Sequence, residues 1–173
     1  MTAPQAAQSA TNEAHIREVF RRLFDERDLS DPYAYWSDDS VDHFLAAGLS
    51  VRGAADIVGF FRGLFAAVPD WRTEIENVVD DGSGQVVVQW TGTGTFTGAP
   101  FLGLEATGRR VEIRGCDVMR LDADGRIDSN TVYYDGAEFA RQVGMLPAAG
   151  SRTERWMTSG FNALTKVRKK LPW

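Results

Sequence analysis

At 173 residues the chain is the size of one domain, with or without a short extension. Hydrophobic residues make up 43% and charged residues 25%, which excludes a disordered or membrane-embedded chain, and a net charge of −5 argues against nucleic acid as a partner. The single cysteine, Cys116, leaves no disulfide framework or cysteine-rich zinc site and points to a reducing, cytoplasmic setting.

Met1–Ala10 lacks the basic and apolar stretches of a signal peptide, and residues 1–11 read as a disordered lead. Ile16, Val19, Phe20, Leu23 and Phe24 then recur at helical spacing, with Thr11 or Asn12 as cap, predicting a helix to about Arg27. Ser30-Asp31-Pro32 starts a helical turn carrying Tyr33, Tyr35 and Trp36, and a short strand follows near Ser40–Phe44. Gly53 opens a second helix, whose stripe of Ile57, Phe60, Phe61, Leu64, Phe65 and Val68 ends before Pro69.

From Arg72 the period changes to two. Extended runs near 72–80, 85–96, 109–121 and 126–134 are divided by Asp81-Gly82-Ser83-Gly84, a Gly/Pro loop from Thr97 to Gly108, and Asp122-Ala123-Asp124-Gly125. A last helix from Gly136 to Val143, capped by Asp135 and Gly144, ends the body at Pro147. Helices first and strands afterwards predict an α+β fold, a curved antiparallel sheet wrapped around the N-terminal helices.

Residues 148–173 form a separate extension after a body at 12–147. The last 23 residues hold six basic side chains against one acid, Glu154, so of the net −5 the rest of the chain carries −10. Trp156, Gly160, Leu164, Val167 and Leu171, widened by Met157 and Phe161, predict an amphipathic helix. Docking on the acidic body or on a second subunit is the favoured reading; a lid over a pocket or contact with a membrane surface are the alternatives.

Gly92, Gly94 and Gly98 lie in a strand-period segment with no helix after it, so they mark sheet curvature and not a phosphate loop. Asp122–Arg126 lacks the glutamate of a calcium loop and reads as a hairpin turn. With His15 and His43 the only histidines, no histidine-rich metal site is expected, and His15 reads as solvated.

Pro69-Asp70-Trp71, Gly94-Thr95-Phe96-Thr97-Gly98, Ala106-Thr107-Gly108-Arg109-Arg110, Asp124-Gly125-Arg126-Ile127, Tyr133-Tyr134-Asp135 and Gln142-Val143-Gly144-Met145-Leu146-Pro147 together resemble the SnoaL-like polyketide cyclase family, of the nuclear transport factor 2-like fold, over about residues 14–147. The resemblance implies a cone-shaped cavity between sheet and helices that takes a small hydrophobic molecule. Parity from Asp117 puts Gly115, Asp117 and Met119 on the concave face, with Asn130, Val132 and Tyr134 on the next strand. Phe20, Phe24, Trp36, Phe60, Trp90 and Phe96 are the expected apolar walls, joined as substrate contacts by Met119, Val132 and Tyr134.

The cyclases' acid/base carboxylate falls at Val132 and their strand histidine at Asp117, while their polar tyrosine and asparagine fall at Phe24 and Phe60. Ketosteroid isomerase, of the same fold, gives a closer partial match. Its oxyanion acid aligns with Asp117 in Asp117-Val118-Met119-Arg120, its base with His43 after Asp38-Asp39, and its tyrosine with Phe20. Apolar neighbours should raise the pKa of Asp117; the alternative is an ordinary pair with Arg114 or Arg120. His43 has the intrinsic pKa of a base, or is a rim histidine, and Asn130 positions a carbonyl or holds Asp117.

The expected activity is cofactor-free proton transfer on a small hydrophobic carbonyl compound, polyketide- or terpenoid/steroid-like, with Asp117, His43 and Asn130 as catalytic residues and no metal. Alternatives are a binding protein using the same pocket and an epoxide hydrolase-like enzyme with an Asp-Arg-Asp set. A homodimer is expected, because a cupped sheet leaves its outer face to be covered.

Overall fold

The computed structural model describes residues 3–169, with side chains described from Thr11 onward. Helix α1 (Ala3–Phe20) continues into a π-helical turn, Arg21–Asp25. The helix therefore starts well before the expected cap at Thr11 or Asn12, and the lead is helical from Ala3. The reason is local: Pro4 fits a first helical turn, and the alanines and glutamines after it are strong helix formers. The wider π turn buries Leu23 and Phe24 side by side.

A 3₁₀ turn at Pro32–Ala34, capped by Asp31, leads to β1 (Val41–Phe44). A second 3₁₀ turn, Leu45–Ala47, reverses the chain into β2 (Leu49–Arg52), a strand that the sequence pattern did not suggest. Helix α2 (Ala54–Ala67) is followed by β3 (Arg72–Asp80), β4 (Gln85–Thr95), β5 (Arg110–Leu121) and β6 (Ile127–Tyr134), then α3 (Gly136–Val143) and α4 (Arg152–Arg168). Asp135 caps α3 by accepting from the Ala137 and Glu138 amides, and Ser151 caps α4.

One curved, unclosed sheet runs in the order β2-β1-β6-β5-β4-β3. It is mixed and not wholly antiparallel, because β1 lies parallel to β6. That pairing is what sets β1 beside β6, with Asp42 level with Asn130. Ile16, Val19 and Leu23 from the first helical segment and Ile57, Phe61 and Phe65 from α2 pack against Val86, Val88, Val111 and Met119 of the sheet. Each such side chain contributes roughly 1.5–3 kcal/mol of burial free energy. His15 is not solvated as expected: its Nε2 sits 2.8 Å from the Gly125 carbonyl and ties α1 to the β5–β6 turn. The tail residues Lys170 and Leu171 lie outside the described residues, and no helix among the described residues is long and apolar enough to cross a membrane.

Candidate active site

The helices leave part of the concave face uncovered, and there a cavity opens with about 940 Å³ of atom-free space, its mouth included. Phe24, Phe60, Trp90, Phe96, Val132 and Tyr134 line it, as expected, with Phe44 stacked on Phe60 at 3.9 Å. Three expected wall residues do not reach it. Phe20 packs behind Phe24, Trp36 stacks on Phe61, and Met119 is buried in the sheet core at 2% exposure. Each is drawn into the core because the helices cover that end of the sheet.

Asp117 and Asn130 line the same cavity, and both are buried. Across the β4–β5 ladder Trp90 stands opposite Gly115, two residues from Asp117 on the same face. A Cβ on Gly115 would lie 2.2 Å from the Trp90 ring, so only glycine lets the indole lie flat on β5. Trp90 Nε1 then donates to Asp117 Oδ1 at 2.9 Å. Gly92 makes the same room for Trp71, another wall residue. Gly92 and Gly115 are thus beds for tryptophan rings, while Gly94 makes room for Val68.

Neither Arg114 nor Arg120 pairs with Asp117; strand alternation sends both to the exposed outer face. Burial pushes the Asp117 carboxyl up to about 6, against the pull of the Trp90 and Asn130 hydrogen bonds.

His43 is not in the site. Strand β1 turns Asp42 and Phe44 inward and leaves His43 on the opposite face, where its Nδ1 lies 2.8 Å from Ser50 Oγ. The cavity side of β1 is set by Phe44, the residue with most apolar surface to bury, and alternation then assigns Asp42 and not His43 to the interior. Asp42 is 1% exposed and is the site residue that the sequence reading missed.

Asp42 stands in register with Asn130 on the parallel strand β6, behind the cavity wall. Its carboxyl is pushed up to about 8, first by burial and then by the charge of Asp117, with Trp36 and Asn130 favouring the charged form. Trp36 Nε1, Asp42 Oδ1 and Asn130 Oδ1 all lack a partner at hydrogen-bonding geometry. Trp36 and Asn130 act on Asp42 as nearby dipoles and not through formed hydrogen bonds. Burial and the nearby Asp117 charge keep a proton on Asp42 at neutral pH. On the other side, Asn130 Nδ2 points at Asp117 Oδ2 at 3.4 Å. One amide thus stands between a neutral acid and an acid that ionises near neutrality, the N–H toward the charge.

Tyr134 is the diagonal neighbour of Asp117 on the cavity side, and burial raises its phenol, which stays a neutral donor. Its hydroxyl has no hydrogen-bond partner among the described residues. At the mouth, Phe101 and Leu104 close a tight turn through paired backbone bonds of 2.9 Å. That turn places Leu102 in the left-handed region at φ 50, with 43% of its surface exposed and its side chain on the cavity rim.

Residues 14–143 match the family of SnoaL-like polyketide cyclases. The chain belongs to this family. AclR from Streptomyces galilaeus shares 22% identity with a TM-score of 0.68, over 95% of this chain and 99% of its own. A SnoaL-like protein from Jannaschia sp. CCS1 shares 24% identity with a TM-score of 0.66, over 80% and 95% of the two chains. TsrD from Streptomyces laurentii shares 23% with a TM-score of 0.67, over 79% and 97%. These likenesses carry the fold. No curated protein matches the sequence. Within the SnoaL-like fold, the polar groups of this cavity are concentrated at Asp117, Asn130 and Tyr134, while Phe24, Phe60 and Val132 make the positions around them apolar.

Proposed function

We propose that the protein catalyses cofactor-free proton transfer α to the carbonyl of a small, hydrophobic, polyketide- or terpenoid-like compound, a cyclase- or isomerase-type reaction. The observation that carries this reading is a single buried carboxyl, Asp117, set in an apolar cavity with its pKa raised to about 6. At neutral pH most of Asp117 is carboxylate and can take a proton from carbon, then return it to a second position. The neutral Tyr134 hydroxyl is the donor to the enolate oxygen that develops. Asn130 positions Asp117, and Asp42 stays neutral behind it, so a second negative charge does not oppose the first. His43 has no part in this scheme, because it lies on the outer face. The scheme belongs in secondary metabolism, and the lone thiol of Cys116 fits a cytoplasmic setting.

A second reading, a binding protein without catalysis, draws support from the apolar residues Phe24, Phe60 and Val132 around Asp117. The epoxide hydrolase reading loses ground, because Asn130 and not an arginine stands between the two carboxyls. One experiment separates the first two. A panel of hydrophobic β-keto esters and cyclic ketones is incubated in D₂O, and deuterium uptake at the α-carbon is followed by NMR. Catalysed exchange that is lost in Asp117→Asn supports the enzyme; compounds that bind without accelerated exchange refute it and leave the binding protein.

A further inference from the structure

One stretch of the cavity rim, the loop between β4 and β5, is held to the body by apolar side chains alone. At its start the Gly98 and Ala99 amides donate to the Ala67 and Ala66 carbonyls at the end of α2, at 2.8 and 2.9 Å, and at its close Gly108 donates to the Phe96 carbonyl at 2.8 Å. Between these anchors, residues 100–107 make no hydrogen bond or ion pair to the rest of the described chain; the Phe101–Leu104 pair is internal to the loop. Helix α4, expected to dock on the body, buries none of its residues, and it is Phe101 and Leu102 of this loop, not the tail, that border the cavity.

Phe101 and Leu104 pack against the core, while the rest of residues 100–107 are exposed. The Phe101 ring lies against Gly63 of α2, where a Cβ would stand 3.3 Å from it, so the glycine makes its seat. Phe60 stands beside it at 5.3 Å, with Phe44 stacked beyond, and all three rings line the cavity. Swinging the loop outward therefore breaks no hydrogen bond to the body and costs the seating of one ring and one leucine. Gly108, at φ 70, ends the free stretch with a residue that turns at little steric cost. Leu102 has the opposite character. A left-handed backbone and 43% exposure disfavour a leucine facing water, whereas over a hydrophobic molecule the same side chain covers apolar surface.

We propose that residues 100–107 are a lid on the cavity, with Phe101 as the latch seated against Gly63 and Leu102 as the side chain that closes over the bound molecule. The turn moves as a unit, because its own backbone pair travels with it. The lid rests on the cavity taking a hydrophobic molecule and not on the reaction performed there.

The test uses the full chain and Prodan, a neutral fluorescent naphthyl ketone, in stopped-flow fluorescence. With the wild type the observed binding rate should level off as Prodan is raised, at the rate of lid opening. Phe101→Ala should raise the entry and exit rates together by about 10-fold or more, because it removes a seated ring from the closed state only. Gly63→Val, which fills the seat and leaves the lid sequence intact, should do the same. Ile113→Ala, a truncation of the cavity wall on β5, should speed exit and leave entry unchanged. Circular dichroism melts verify the fold of each variant. Phe101→Ala and Gly63→Val that behave like Ile113→Ala make Phe101 an ordinary wall residue and overturn the lid, as does a wild-type rate that stays proportional to Prodan throughout. Failure of the wild type to bind Prodan overturns the lid together with the hydrophobic cavity. A protein that shows the gated kinetics yet catalyses no α-proton exchange supports the lid and fails the proposed reaction alone.

Discussion

Replacing Asp42 with asparagine should stabilise the protein, and by an amount that grows with pH. Asp42 is 1% exposed and titrates at about 8 in the fold against 3.8 as the ordinary value. The folded state therefore holds a proton that the unfolded chain releases from about pH 4 upward, so the fold loses stability as pH rises, by about 1.4 kcal/mol per unit until about pH 8. At pH 5 the accumulated cost is about 2 kcal/mol, and at pH 7 about 4 kcal/mol. Asparagine has no proton to lose. It matches the protonated carboxyl in size and keeps an acceptor for Trp36 Nε1, which lacks a formed bond. The contribution of Asp117 is common to both proteins and cancels. For a chain of this size each kcal/mol moves the melting temperature by roughly 3 °C, so the variant should melt about 5 °C higher at pH 5 and about 10 °C higher at pH 7. Differential scanning calorimetry at both pH values decides the matter. An equal gap at the two, or a variant that melts below wild type at pH 7, would refute a neutral buried Asp42.

Four shorter expectations follow from the same geometry. Catalysed α-proton exchange should rise through about pH 6, as Asp117 becomes carboxylate, and Asp117→Asn should lower it by about 10²- to 10⁴-fold with the fold retained by circular dichroism. Gly115→Ala should push Trp90 off β5, cost about 1–3 kcal/mol, and move that acid limb to higher pH, because the Trp90 bond holds the Asp117 pKa down and its loss lets it rise; an unmoved limb would separate Trp90 from Asp117. Leu102→Asn should relieve the left-handed strain and stabilise by about 1 kcal/mol in urea titration, while weakening retention of a hydrophobic ligand by removing the rim side chain. His43→Ala should leave the exchange profile unchanged and shift stability by less than about 0.5 kcal/mol, as expected for a side chain on the outer face.

Much of the fold is legible in the residues themselves, because it rests on local signals. The four long strands are expected to within a residue of where they lie, since hairpin turns such as Asp122–Gly125 and period-two alternation are written in neighbouring positions. The same alternation places Asp117, Asn130, Val132 and Tyr134 on the concave face of β5 and β6. Alternation over only four residues is weaker: in Val41-Asp42-His43-Phe44 it offers two faces and no local rule for choosing. The tertiary structure decides by pairing β1 in parallel with β6, a partner more than eighty positions away, and by stacking Phe44 on Phe60. That contact sends Phe44 inward, carries Asp42 with it to Asn130, and leaves the chemically more inviting His43 outside. The strand glycines show the same division. Their positions are plain in the sequence, but that Gly115 exists to receive the Trp90 ring, and through it to hold Asp117, depends on a β4–β5 register that only the folded sheet fixes.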